Sequence, residues 1–373
     1  MKNVLITGGA GFIGFNLTKR LIDSGYNVTI LDNLSKKIHS SNIRYIKLKD
    51  ITHFIIGDVC NRADWEKAIC NQDVIIHLAA ETGTGQSMYD IHNYTNVNVG
   101  ATAMMLDVLT NSKNSVKKII LSSSRAVYGE GMYKCKDQGV IFPSSRNDED
   151  LQDGKYDFIS QKSKSKLIPI PTKENSHISP TSIYALTKYN QEQILFIAAN
   201  NLNIDVAVLR YQNVFGPGQS LSNPYTGILS VFSTRILNGN DIEIYEDGMQ
   251  SRDFVYIDDV VNATLLVLEK SNLKSQVYNV GSGKPITVLK VAQKLKELYN
   301  LTASITISNK YRRGDIRHNF ADLSKINQEL GFVNEFSFDN GLLNFVEWVK
   351  KQDVQDDKYD SSIQEMIQKG IMK

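Results

Sequence analysis

The 373-residue sequence has three cysteines, Cys60, Cys70 and Cys135, and no two of them stand at a paired spacing. A disulfide framework is excluded, and free thiols in a reducing cytoplasm are the expectation. There is no apolar run long enough to span a bilayer. No charge sign dominates: the formal net charge is +2, with acids and bases interspersed. Neither nucleic acid nor an anionic membrane is implied as a partner. Internal repeats are missing. No leader is expected, because Met1 runs straight into the strand-like Lys2–Thr7. What remains is an ordinary globular composition, which argues against disorder. The length suits one large domain plus a smaller one.

Short apolar runs alternate with helical patterns over the first two-thirds. Asn3–Thr7, Asn27–Leu31, Phe54–Gly57, Val74–Leu78, Lys117–Ser122 and Val206–Arg210 read as strands. They are apolar on both faces, as buried parallel strands are. Ile13, Leu17, Leu21 and Ile22 recur at helical spacing before a stop at Gly25, and Asn98–Leu109 and Ile183–Ala199 are further helices. This alternation predicts an α/β fold, a doubly wound parallel sheet, with a smaller α/β domain after it. In the last third, Tyr225–Leu237, Asp258–Leu268, Val288–Leu298 and Ser324–Leu330 read as helices, and Phe254–Ile257 and Val277–Val280 as strands. Lys155–Lys173 is polar, ends in Pro169 and Pro171, and reads as a surface insertion. In the tail, Ile363, Ile367 and Ile371 at spacing four allow a short docking helix, with fraying as the competing reading.

The first strand leads into Thr7-Gly8-Gly9-Ala10-Gly11-Phe12-Ile13-Gly14. Gly8, Gly11 and Gly14 permit a tight turn and let backbone amides approach a pyrophosphate at a helix N-terminus. A lone glycine triplet also fits a plain turn. Here a strand precedes it, a helix follows, and Asp32 ends the second strand where a ribose-binding acid belongs in a Rossmann unit. An acid there favours NAD over NADP. Asp58-Val59, at the end of the third strand, could flank an adenine or simply make a turn. Leu78-Ala79-Ala80 ends the fourth strand with small residues against which a cofactor can lie. His77 reads as a buried strand residue.

Tyr184 and Lys188 stand at i and i+4 on one helix face. A nearby ammonium lowers a phenol's pKa from about 10, although the same pair also describes a solvated helix surface. Ser122-Ser123-Ser124 ends the fifth strand, where a hydroxyl can hydrogen-bond a reacting oxygen; a serine-rich turn is the plainer alternative. Glycine triplet, acid, serine cluster and Tyr–Lys pair occur in this order along the chain.

With these motifs the chain resembles the extended short-chain dehydrogenase/reductases, the nucleotide-sugar epimerases, dehydratases and decarboxylases, to about Lys350. The resemblance implies NAD held by Gly8, Gly11, Phe12, Ile13, Gly14, Asp32, Asn33, Asp58, Val59, Leu78, Ala79, Ala80 and Asn98, together with Tyr184 and Lys188. It implies a catalytic set of Ser124, Tyr184 and Lys188, and a nucleotide-diphosphate sugar bound by Ser124, Asn213, Arg252, Arg312 and Arg317. Guanidinium forks suit phosphate. The implied division is residues 1–212 for NAD, with an insertion at about 131–178 and a return excursion at about 252–281, and residues 213–251 and 282–373 for the substrate. A homodimer through Asn98–Leu109 and Ile183–Ala199 is implied too.

The residues after the serine narrow the chemistry. Family dehydratases carry Asp-Glu there and decarboxylases a glutamate at the second position, whereas this chain has Arg125 and Ala126. The resemblance then implies the minimal set of a 4-epimerase; a UDP-sugar 4-epimerase, a 4-ketoreductase, against which Asp32 argues, and an NAD-binding protein without chemistry are the alternatives. The Ser122–Gly131 segment, the insertion and Arg210–Ser222 are most similar to bacterial dTDP-L-rhamnose 4-epimerases. Those relatives imply a zinc ribbon in the insertion. This chain keeps only Cys135 there, with Gln161, Ser163 and Ser165 nearby; one sulfur does not make a structural zinc site, so no metal is expected.

Overall fold

The computed structural model describes residues 2–36, 38, 43–225 and 227–373. Five strands open the chain: β1 (Asn3–Thr7), β2 (Asn27–Asp32), β3 (His53–Ile56), β4 (Val74–His77) and β5 (Lys118–Ser124). With strands Asp205–Tyr211 and Gln276–Val280 they form one seven-stranded parallel sheet, ordered β3-β2-β1-β4-β5, then 205–211, then 276–280. Helices cover both faces, which is why these strands are Val-, Ile- and Leu-rich throughout. Leu17 and Leu21 of helix α1 (Phe12–Asp23) pack in one core layer with Val260 of the helix Ile257–Glu269. Trp65, Met105 and Leu195 fill the opposite layer. The strand order reverses between β1 and β4, so a crevice opens at the carboxyl ends there.

The expected strands occur, with shifted ends. The serine strand runs on to Ser124, which pairs with Tyr211, because the neighbouring strand is itself longer than its apolar run suggests. The helix expected at Asn98–Leu109 is preceded by a widened π-helical turn, Thr95–Gly100, and is regular only over Ala101–Asn111. The helix expected from Tyr225 begins at Ile228, after the positive-φ Gly227. Phe338–Val349 is a helix the periodicity reading did not single out; it buries Leu342, Phe345, Val346 and Val349.

One further expectation needs correction. The tail does form a docking helix, Tyr359–Gln368, but its buried face is Tyr359, Ile363 and Met366, and Ile367 points outward. Ile371 lies past the helix end, where its carbonyl accepts from the Arg313 amide at 3.0 Å. The insertion, whose Lys155–Lys173 stretch lies largely at the surface as expected, also has a structure of its own. It builds a small antiparallel sheet from Met132–Cys135, Gly139–Ile141 and Ile168–Ile170. Thr172 exchanges backbone hydrogen bonds with Phe320 and Asp322, and the Gly131 amide donates to the His318 carbonyl. Cys135 Sγ and the Ser160 and Ser163 hydroxyls all donate to the Asp137 carboxylate, which ties the knuckle together. Among the described residues no helix is long and apolar enough to cross a membrane, and no cluster of three or more metal-ligating side chains occurs.

Candidate active site

A cavity of about 350 Å³ fills the crevice at the strand reversal. Gly8, Gly11, Phe12, Ile13 and Gly14 form its floor, and Asp32, Asn33, Asp58 and Val59 one end. Leu78, Ala79 and Ala80 form a wall, and Ser124, Tyr184 and Lys188 lie toward the other end.

The glycines fit a pyrophosphate cradle for a steric reason. Gly8 has φ +70°, and a Cβ on it would stand 2.9 Å from the Ala79 amide nitrogen. A Cβ on Gly14 would stand 2.3 Å from the Gly8 carbonyl oxygen, which is backbone and has nowhere to go. Gly14→Ala is therefore expected to cost about 1–3 kcal/mol of stability and to strip bound NAD from the purified protein, as read by extraction and chromatography.

Asp32 is nearly buried and held in place: its carboxylate accepts from the Ala10 amide and the Leu34 amide, each at 2.9 Å. Asn33 donates to Asp58 at 3.0 Å, and the Cys60 amide donates to the same carboxylate at 2.8 Å. Burial pushes the Asp58 carboxyl up, but these hydrogen bonds outweigh it and hold the group below its ordinary value.

Ser182 caps the tyrosine helix, Ile183–Leu202, accepting from the Ala185 amide, and the Tyr184 amide donates to Ser87 Oγ at 3.0 Å. Burial raises the Tyr184 phenol, and the Ser124 hydroxyl and Arg125 guanidinium pull it back down. Burial lowers the Lys188 ammonium to about 7, and Glu192, one turn on, opposes that shift. His77 is fully buried between Thr7 Oγ1 and Thr102 Oγ1. Burial and then the nearby Lys188 push its imidazole down to about 3, so it stays neutral.

Not every expected site residue lies on the cavity. Asn98 is fully buried and does not line it. Its side chain brackets the backbone of Glu81 and donates to Thr187 Oγ1, so it holds the cavity wall against the tyrosine helix. Asn213 sits between Gln212 and Val214, which do line the cavity. Arg252 is buried and spends its fork on Asp315 and on the carbonyls of Ser251, Ile316 and Arg317. Arg317 turns away altogether, into Asp157, Glu246 and Asp247. There it welds the insertion to the smaller domain. Arg312 lines a second, smaller cavity, with Arg125 beside it.

Sequence reasoning missed Arg44, which donates to the carbonyls of Ala10 and Gly218 and so links the glycine turn to the 216–220 loop. It also missed Gln219, Ser220 and Asn223 on the cavity wall. No motif marks these positions; only the tertiary fold brings them in.

A doubly wound sheet with a glycine cradle, a ribose-side acid and a Ser–Tyr–Lys cluster in one crevice defines a dinucleotide-dependent enzyme. Residues 4–281 match the NAD dependent epimerase/dehydratase family. The chain belongs to that family, and NAD is its cofactor. It is 34% identical to the dTDP-L-rhamnose 4-epimerase of Burkholderia thailandensis over 354 residues, covering 94% of this chain and 96% of that one. The UDP-glucose 4-epimerase of Thermotoga maritima, solved with UDP-glucose, superposes with a TM-score of 0.75 at 29% identity, covering 94% and 99% of the two chains. The UDP-N-acetylglucosamine 4-epimerase of Methanobrevibacter ruminantium, solved with UDP-N-acetylmuramic acid, gives 0.74 at 30% identity with the same coverage.

Proposed function

We propose that the chain is an isomerase that inverts carbon 4 of a nucleotide sugar, with dTDP-L-rhamnose as substrate and dTDP-6-deoxy-L-talose as product. The observation that carries this reading is the make-up of the cavity's reacting end. Ser124, Tyr184 and Lys188 stand there together, and Arg125 and Ala126 follow the serine where a dehydratase or decarboxylase needs an acid. The similarity to the Burkholderia enzyme supports the choice of sugar.

Gly8, Gly11 and Gly14 would hold the NAD pyrophosphate and Asp32 a ribose. Bound NAD would supply the hydride acceptor and donor. Tyr184 takes the proton of the sugar's 4-hydroxyl as a phenolate and returns it to the opposite alkoxide, so one residue serves both half-reactions. Ser124 donates to the reacting oxygen. Lys188 supplies positive charge that favours the phenolate. Asn213 and Arg312 are the candidates for the diphosphate.

The test is incubation with dTDP-L-rhamnose and, separately, with UDP-galactose, with the products read by NMR. Conversion of the first is expected. Inversion of UDP-galactose with dTDP-L-rhamnose left untouched would overturn the choice of substrate and leave the 4-epimerase chemistry standing.

The same reading includes a homodimer through the helices Ala101–Asn111 and Ile183–Leu202. Leu186 and Ile197, the latter 70% exposed, lie on the outer side of the longer helix. Sedimentation at twice the chain mass is the expected result. The three cysteines are free, which suits a cytoplasmic enzyme.

A further inference from the structure

The interior arginines divide into two groups. Arg146 is paired with Glu246, Arg210 with Glu192, Arg252 with Asp315, and Arg317 with Asp157 and Asp247. Arg125 and Arg312 differ. Neither side chain makes a hydrogen bond or ion pair among the described residues, and Arg312 Nε is buried without a partner. Both line the same small cavity, together with Thr84, Ser182 and Asp315; burial pushes the Asp315 carboxyl up, but Arg252, Arg312, Arg146 and Arg125 hold it below its ordinary value, and its hydrogen-bonded partner is Arg252. A buried polar group left empty is costly, and a guanidinium has five donors to fill. Two forks without a hydrogen-bonded partner, facing one cavity, suit an oxygen-rich ligand.

The positions of the two arginines differ in a useful way. Arg125 follows Ser124 directly, and only Ile183, the first residue of the helix, separates Ser182 from Tyr184. Residues of the small cavity thus stand next along the chain to residues at the reacting end of the large one. Arg125 also lies close enough to Tyr184 to pull its phenol down, and each charge steadies the other.

We propose that Arg125 is a specificity-determining residue that reads the sugar: its guanidinium donates to hydroxyl oxygens of the sugar that Tyr184 acts on, and not to the diphosphate. This rests on the cavity being a nucleotide-sugar site. It assigns a positive role to a residue whose first significance was that it is not an acid. A neutral 6-deoxy sugar would use the fork through its hydroxyls.

Calorimetric titration of the NAD-loaded protein with dTDP and with dTDP-L-rhamnose separates the two parts of the ligand. In Arg125→Met, dTDP should bind as in the unaltered protein. The nucleotide sugar should bind about 10- to 100-fold more weakly, the worth of a charge-assisted hydrogen bond. Arg125→Lys keeps the charge and loses the fork; it should show the same sugar-selective loss, smaller in size, and it serves alone if the methionine variant does not fold. Equal weakening of dTDP and dTDP-L-rhamnose, or no weakening of either, overturns the assignment. UDP and UDP-galactose replace dTDP and dTDP-L-rhamnose in the two arms if UDP-galactose proves to be the sugar turned over. Failure of the unaltered protein to bind any nucleotide sugar strikes the proposed function first, and this inference with it.

Discussion

Tyr184→Phe is expected to lower turnover by about 10²–10⁴-fold, the usual worth of a positioned acid–base group, with fold and NAD content unchanged. The substitution removes one oxygen and keeps the ring. The backbone amide of residue 184 still donates to Ser87, and Ser182 still caps the helix. The glycine cradle and Asp32 lie on other elements and do not feel the change. Proton transfer has no second candidate of the same kind, since Arg125 and Ala126 occupy the positions after Ser124. His77 is neutral and enclosed by two threonine hydroxyls. A variant with full activity would sink the mechanism. In the unaltered protein the phenol must lose its proton to act, so kcat/KM should climb as pH rises through the acid limb.

Glu192→Ala is expected to destabilise the protein by about 3–5 kcal/mol, because it strands a buried cation. Glu192 accepts from Arg210 Nε at 3.0 Å and from Arg210 Nη2 at 2.6 Å, and both side chains are almost fully buried. The Arg210 guanidinium also stacks over Tyr128 at 4.8 Å, so it has no route to water. The Ser123 hydroxyl loses its acceptor in the same variant. Urea denaturation measures the loss, and Glu192→Ala combined with Arg210→Met should recover much of it, since an uncharged pair leaves no stranded ion. Unchanged stability in the single variant would contradict this account of the pair. There is a catalytic consequence as well. Glu192 is the charge that holds the Lys188 ammonium up against burial. Without it, Lys188 gives up its proton at lower pH, so the alkaline limb of kcat/KM should move down.

These two expectations also mark what the sequence could reveal. Gly8, Gly14 and Asp32 are legible because their constraints are local. A turn that admits no Cβ and an acid at a strand end are written in adjacent residues. Ser124, Tyr184 and Lys188 are legible through their order along an alternating strand–helix pattern. The arginines are different. Arg252, Arg312 and Arg317 look alike in sequence, and their fates depend on which carboxylates fold against them. Arg317 meets Asp157 from the insertion and Asp247 from the smaller domain; Arg312 meets neither. Such pairings join segments far apart in the chain, so no local pattern announces them. The tail shows a subtler failure. Spacing four among Ile363, Ile367 and Ile371 fits a helix, yet the helix ends at Gln368 and turns Ile367 to solvent.

The edge strand Gln276–Val280 has a consequence for how the chain reaches its folded state. It pairs with Asp205–Tyr211, yet the helices Ile228–Leu237 and Ile257–Glu269 and the strands between them lie between the two in sequence. The two halves are threaded through one another and are not strung in series. During synthesis the strand 205–211, with Val206, Val208 and Leu209 buried in the finished sheet, must wait with a bare edge until the later strand emerges. Such an edge is a template for wrong partners, and late, long-range parallel pairing is slow. A fragment cut between the two strands would keep every glycine of the cradle and still expose that edge, so the cofactor half cannot be excised as a clean module.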